Sequence, residues 1–157
     1  MQCSGIIQDK NNMVVAEFSS NHLGIGSFYL EALANETYTA KIKLAQNTEL
    51  HKTLPKAKQV GFNIVVDNIQ RDSVYINIHT NKATLTTTDK DTFTLFIHKD
   101  GQSKTIPLSI NDVHISQAIA KKEIFNGINT FTLFKNRVPI AERMFFNEYF
   151  LRKQRLL

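Results

Sequence analysis

Four stretches in the second half of this chain alternate apolar and polar residues with a period of two. They are Phe62-Asn63-Ile64-Val65-Val66-Asp67, Val74-Tyr75-Ile76-Asn77-Ile78-His79, Thr92-Phe93-Thr94-Leu95-Phe96-Ile97-His98 and Thr130-Phe131-Thr132-Leu133-Phe134. Successive side chains of a strand point to opposite faces, so each run buries one face and wets the other. The pattern predicts an all-β chain of antiparallel sheets packed face to face. It places Phe93, Leu95, Ile97, Phe131, Leu133, Val74, Ile76 and Ile78 in the core.

Turn residues divide these runs. Candidate strands of the second half are Gly61–Asn68, Ser73–Thr80, Thr92–Lys99, Ser103–Ile110, Val113–Ile119, Ile128–Phe134 and Val138–Asn147. Asp100-Gly101 suits a two-residue hairpin that needs positive φ, and Asn126-Gly127 is a similar stop before Ile128. Lys135-Asn136-Arg137 joins the last two strands. Seven short strands with turn signals between them fit an immunoglobulin-like sandwich. The stretch Ile119–Phe125 allows one turn of helix.

The first third reads as shorter strands: Ser4–Gln8, Met13–Ser19, Ser27–Ala32 and Thr37–Leu44, with Asp9-Lys10-Asn11-Asn12 as a polar turn. Gln46–Gln59 is polar and aperiodic and contains Pro55, which suggests a linker. The expected organisation is therefore a partial β module over 1–45, a linker over 46–59, a complete β-sandwich over 60–150 and a basic tail over 151–157.

Two strings carry a family resemblance. One is Ser19-Ser20-Asn21-His22-Leu23-Gly24-Ile25-Gly26-Ser27-Phe28, followed by Thr37-Tyr38-Thr39-Ala40-Lys41-Ile42. The other is Ile124-Phe125-Asn126-Gly127-Ile128-Asn129-Thr130-Phe131-Thr132-Leu133-Phe134, followed by Ile140-Ala141-Glu142-Arg143-Met144-Phe145-Phe146. In series they resemble the tandem macroglobulin-type, immunoglobulin-like domains of large bacterial extracytoplasmic proteins. Those proteins are similar to the N-terminal part of bacterial alpha-2-macroglobulins, and some resemble outer-membrane receptors with a TonB-dependent plug. The resemblance covers most of the chain. It implies sandwich modules in tandem, a periplasmic or outer-membrane location, and a membrane-associated parent protein whose neighbouring modules are partners. It also implies that the first module is truncated, so that it covers its apolar face by docking or by pairing with a second copy as a homodimer.

Several residues in these strings have structural readings. Gly24 and Gly26 bracket Ile25 and permit a close backbone approach; no Lys-Ser/Thr follows, as a phosphate loop requires. Glu142-Arg143 interrupts an apolar strand. One of the two is expected to face a buried or intermodule surface and to need a partner, in a structural ion pair. Gly101 and Gly127 serve turns.

Composition adds less. The 157 residues carry a formal net charge of +5, but the basic residues are scattered. Lys121-Lys122 and Arg152-Lys153-Gln154-Arg155 are the dense groups. They read first as solubilising surface, and no nucleic-acid-binding motif accompanies them, so no nucleic-acid partner is expected. A single cysteine, Cys3, excludes an internal disulfide. No apolar run approaches the ~20 residues of a membrane-spanning helix, and no signal peptide is recognisable; an internal fragment with an added Met is the expected origin.

Catalytic chemistry is not written into the chain. No nucleophile elbow is present, and Cys3-Ser4-Gly5-Ile6 is not the Cys-x-Glu-Gln of a reactive thioester. The histidines 22, 51, 79, 98 and 114 lack metal-ligand spacing, although His79 and His98 lie on strands that can converge. The expectation is a non-enzymatic structural or interaction module with no cofactor and no metal. The alternative is a carbohydrate- or peptide-binding module feeding an attached receptor. Tyr29, Tyr75, Phe96 and Phe134 are its candidate contacts, each opposite the core stripe of its strand.

Overall fold

A computed structural model describes residues 2–44, 48–88 and 90–148; the expected basic tail over 151–157 lies outside them. The chain is almost entirely antiparallel β-structure and divides into two compact units, Met1–Gln59 and Val60–Leu157.

The first unit is one sheet. Its strands are β1 (Ser4–Gln8), β2 (Val14–Ser19), β3 (Thr39–Lys43) and β4 (Glu49–Thr53), in the order β2-β1-β3-β4. The β1–β2 turn is built by Asp9, whose Oδ1 accepts from the Asn11 and Met13 amides at 2.8 and 2.9 Å. Asn12 takes the left-handed conformation at φ 62°, which asparagine tolerates. Cross-strand neighbours put Gly5 beside Phe18 and Ile42, and Ile7 beside Ala16 and Ala40. This face is the apolar one. Ile7, Tyr38 and Ala40 are buried, with Ala16, Phe18, Leu30, Ile42 and Leu54 packed around them.

Two expectations for this unit fail. The stretch read as a linker contains β4, which pairs with β3 from Thr39↔Thr53 to Lys43↔Glu49. Its side chains are all exposed, so a margin strand with no buried stripe leaves no alternation to read. Ser27–Ala32 is not a strand. Instead Ser20 and Gly26 form an isolated bridge, and Asn21 Oδ1 accepts from the Leu23 amide, which folds the intervening residues into a tight loop. The close approach expected at the paired glycines is present: a Cβ on Gly26 would lie 2.5 Å from the Ser19 carbonyl oxygen.

The second unit contains β5 (Asn63–Asp67), β6 (Ser73–His79), β7 (Phe93–Lys99), β8 (Gln102–Leu108), β9 (His114–Ala120), β10 (Gly127–Lys135) and β11 (Val138–Asn147). All seven predicted strands are there. A short helix, α1 (Lys82–Leu85), capped by Asn81, was not foreseen; the single turn expected over Ile119–Phe125 is a 3-10 turn at Lys121–Glu123. The strands form two sheets, β5-β6-β9 and β11-β10-β7-β8. Eleven buried apolar residues from both sheets, with Ile124, make one core, including all eight that the alternation placed there.

Tight turns hold the register. Asp100 (φ 46°) and Gly101 (φ 80°) connect β7 to β8, with Lys99 opposite Gln102. Asn136 (φ 50°) and Arg137 (φ 68°) connect β10 to β11. Asn136 Oδ1 accepts from the Thr92 amide at 2.9 Å, and Lys135 pairs with Asp91 at 3.0 Å. Lys135, then the Asn136 amide, holds the Asp91 carboxyl below its ordinary pKa.

One end of the second unit is closed by polar side chains. Lys121 is buried rather than solubilising, and its Nζ donates to the Gln70 carbonyl at 2.6 Å. Asn147, fully buried, donates to the carbonyls of Lys121 (2.9 Å) and Ile124 (3.2 Å). The Asn147 bonds satisfy carbonyls of the 3-10 turn that follows β9, and the Lys121 bond satisfies one in the β5–β6 connection.

Candidate functional site

The outer face of the four-stranded sheet is the best candidate for a working surface. β7, β10 and β11 each turn one set of residues to the core and the alternate set away from it. Cross-strand register assembles the outer set in rows: Phe96, Thr132 and Glu142; His98, Thr130 and Met144; Thr94 and Phe134; Ile128 and Phe146. The Phe96 and Phe134 rings meet edge to face at 5.9 Å, and His98 lies 5.1 Å from Phe96. Edge-to-face geometry is favourable for an aromatic pair. Past Thr132, Glu142, His98 and Thr130, three large apolar side chains lie open at the other end of the face. Ile128 is 58%, Met144 69% and Phe146 52% exposed.

Glu142 is the one carboxylate in these rows, and it accepts from Thr132 Oγ1 at 3.3 Å. The expected ion pair is not formed. Glu142 and Arg143 are adjacent in β11 and point to opposite faces, and both are exposed because β11 is the margin of its sheet. Arg143 stands beside Phe131 on the core side and reaches water past that margin. Among the described residues neither forms an ion pair.

The four aromatic residues singled out from the sequence do not form one site. Phe96 and Phe134 come together as described. Tyr75 lies on the outer face of the three-stranded sheet, between Asp67 and Ala118. Tyr29 is 82% exposed in the first unit, on the segment that was expected to be a strand. Gly24, at φ 79°, turns the loop of that unit, while Gly101 and Gly127 hold positive φ in the second. Sequence reasoning missed Ile128, Met144 and Phe146. The signal was available: Met144-Phe145-Phe146 is apolar on both faces of one strand, which in a margin strand leaves one apolar face without a core to fill.

No protein-family model matches this chain. No curated protein matches it either.

The first unit offers a different surface, an open groove of ≈ 790 Å³ whose lining includes Ser4, Glu17, Lys41, Lys43 and Glu49. Its charges alternate in sign. Glu49 accepts from His51 at 2.6 Å, and this bond holds the Glu49 carboxyl below its ordinary pKa. These groups are exposed, and exposed pairs contribute little. His79 and His98 do not converge: they stand on different sheets, and the ring beside His79 is that of His114. Among the described residues, no three His, Cys, Asp or Glu side chains lie close enough together to hold a metal ion.

Proposed function

We propose that this chain is a non-enzymatic interaction module pair of a larger bacterial cell-envelope protein, of the macroglobulin-like type its sequence resembles. The observation that carries the reading is the exposed apolar group of Ile128, Met144 and Phe146, neighbours at one end of the outer face of β10 and β11. Monomeric soluble proteins seldom leave contiguous apolar patches uncovered, and such patches mark interaction surfaces. The strand order supports the module type. With β5, β6, β7, β8, β9, β10 and β11 lettered A, B, C, C′, E, F and G, one sheet is A-B-E and the other C′-C-F-G. This division resembles that of immunoglobulin-type sandwiches, with the fourth strand moved to the C-F-G sheet. The partners in this reading are neighbouring modules of the parent protein and, for the first unit, a second copy of the chain.

Oxidative footprinting of Met144 tests the proposal. In the full-length parent protein this side chain is expected to react more slowly than in the isolated chain, because a partner covers it. Equal reactivity in both overturns the interaction role. Binding of the isolated chain to a glycan array, lost on Phe96→Ala, would replace it with the carbohydrate-binding reading.

A further inference from the structure

On the other sheet, the β6–β9 ladder ends with two histidines directly opposite each other. His79 and His114 are register partners, and their rings stack at 4.5 Å with planes 12° apart. Residues directly opposite on an antiparallel pair project from the same face with closely spaced Cβ atoms. Two imidazoles are thus presented side by side at the end of a rigid sheet.

The surroundings favour a cation. The register sets Asn63, Val65 and Asp67 of β5 beside His79, Asn77 and Tyr75 of β6, and these beside His114, Ser116 and Ala118 of β9. These three rows hold two imidazoles, two amide side chains, two hydroxyls and one carboxylate, and no Lys or Arg. Asn77 Oδ1 already lies 3.4 Å from His114 Nε2. Burial, and then the neighbouring His114, lower the pKa of His79 below its ordinary value. Neutral imidazole is the form that ligates a metal. His114 is exposed and His79 only half-buried, so rotation about χ2 can turn a nitrogen of each ring toward a shared ion.

We propose that His79 and His114, with Asn77 beside them, form a surface site for a borderline divalent transition ion such as Ni²⁺, Zn²⁺ or Cu²⁺. Two imidazole nitrogens select these ions over Mg²⁺ and Ca²⁺, which take oxygen ligands. With two strong donors the ion keeps water in its other positions, so the site is open and exchangeable rather than a structural cage. The linear sequence hides the pair, because the two histidines meet only through the β6–β9 register.

Calorimetric titration of the tag-free chain with Ni²⁺ and Zn²⁺ at pH 7.5 tests this. One ion per chain is expected, with Mg²⁺ giving no heat. His79→Gln and His114→Gln should each weaken binding by more than the about 10–100-fold that follows loss of a merely supporting group. His98→Gln and Cys3→Ser should leave it unchanged. Circular dichroism checks that each variant is folded, and the exposed position of His114 makes that variant the decisive one. Absence of binding, or binding that survives His114→Gln in a folded chain, overturns the proposal.

Discussion

Both units are antiparallel β-structure, yet they bury unequal cores. In the second unit, two sheets and Ile124, which follows the 3-10 turn, contribute twelve buried apolar residues. In the first, one sheet and the residue before β3 bury three, Ile7, Tyr38 and Ala40. The difference is architectural. A sheet has an apolar face that needs a second layer, and the second unit supplies it with another sheet. In the first unit irregular chain takes that place: Phe28 packs its ring 5.8 Å from Phe18, and Leu30 joins the cluster. Irregular chain covers less. Leu23, Ile25, Tyr29 and Leu33 stay 67%, 68%, 82% and 61% exposed. The comparison teaches that alternation predicts burial only where two regular faces meet.

The largest expected effect tests the better-packed unit. Phe131 is fully buried and stacks on Phe145 at 5.8 Å. Phe131→Ala should cost about 3–5 kcal/mol in urea unfolding with an unchanged slope, as a cavity in a core that cannot collapse does. A loss comparable to that of an exposed substitution would erase the contrast between the units.

The first unit is better probed by crowding than by deletion. A Cβ on Gly5 would fall 2.3 Å from the Lys41 carbonyl oxygen and 2.5 Å from the Phe18 ring. That ring lies over the glycine and covers the gap in the strand. Gly5→Ala should cost about 1–3 kcal/mol, as overpacking does, and speed amide exchange in β1 and β3. Unchanged exchange there would show that this unit is softer than its contacts imply.

The smallest effect is one of pH. The folded pKa of His79 lies below its ordinary value, so the unfolded chain takes up this proton more readily. Stability is therefore full above the unfolded value of about 6.5 and declines as pH falls through the folded one. Unfolding midpoints at pH 7.5 and 5 should differ less in His79→Gln than in the natural chain. An equal difference in both assigns the pH dependence to other groups.

Much of the second unit was legible because its strands carry two signals at once, alternation and turn chemistry. Phe93, Leu95 and Ile97 announce a face, and Asp100-Gly101 announces where it ends. The first unit lacked the first signal in β4, whose residues are all exposed, and Ser27–Ala32 carried an apolar pattern but runs as irregular chain. The candidate face was half legible. Phe96 and Phe134 follow from alternation, but their meeting depends on the pairing of β7 with β10. The burial of Lys121 was illegible, since only the fold brings the Gln70 carbonyl to its ammonium group.

That lysine has a consequence for how the second unit assembles. Its bond to Gln70, and those of Asn147 to Lys121 and Ile124, tie together chain segments separated by 51, 26 and 23 positions. A buried ammonium group is held favourably only once its acceptors are in place. These contacts are therefore expected to form after the sheets have docked, on the native side of the folding barrier. They act as a latch: substitutions at Lys121 or Asn147 should hasten unfolding while leaving the rate of folding nearly untouched.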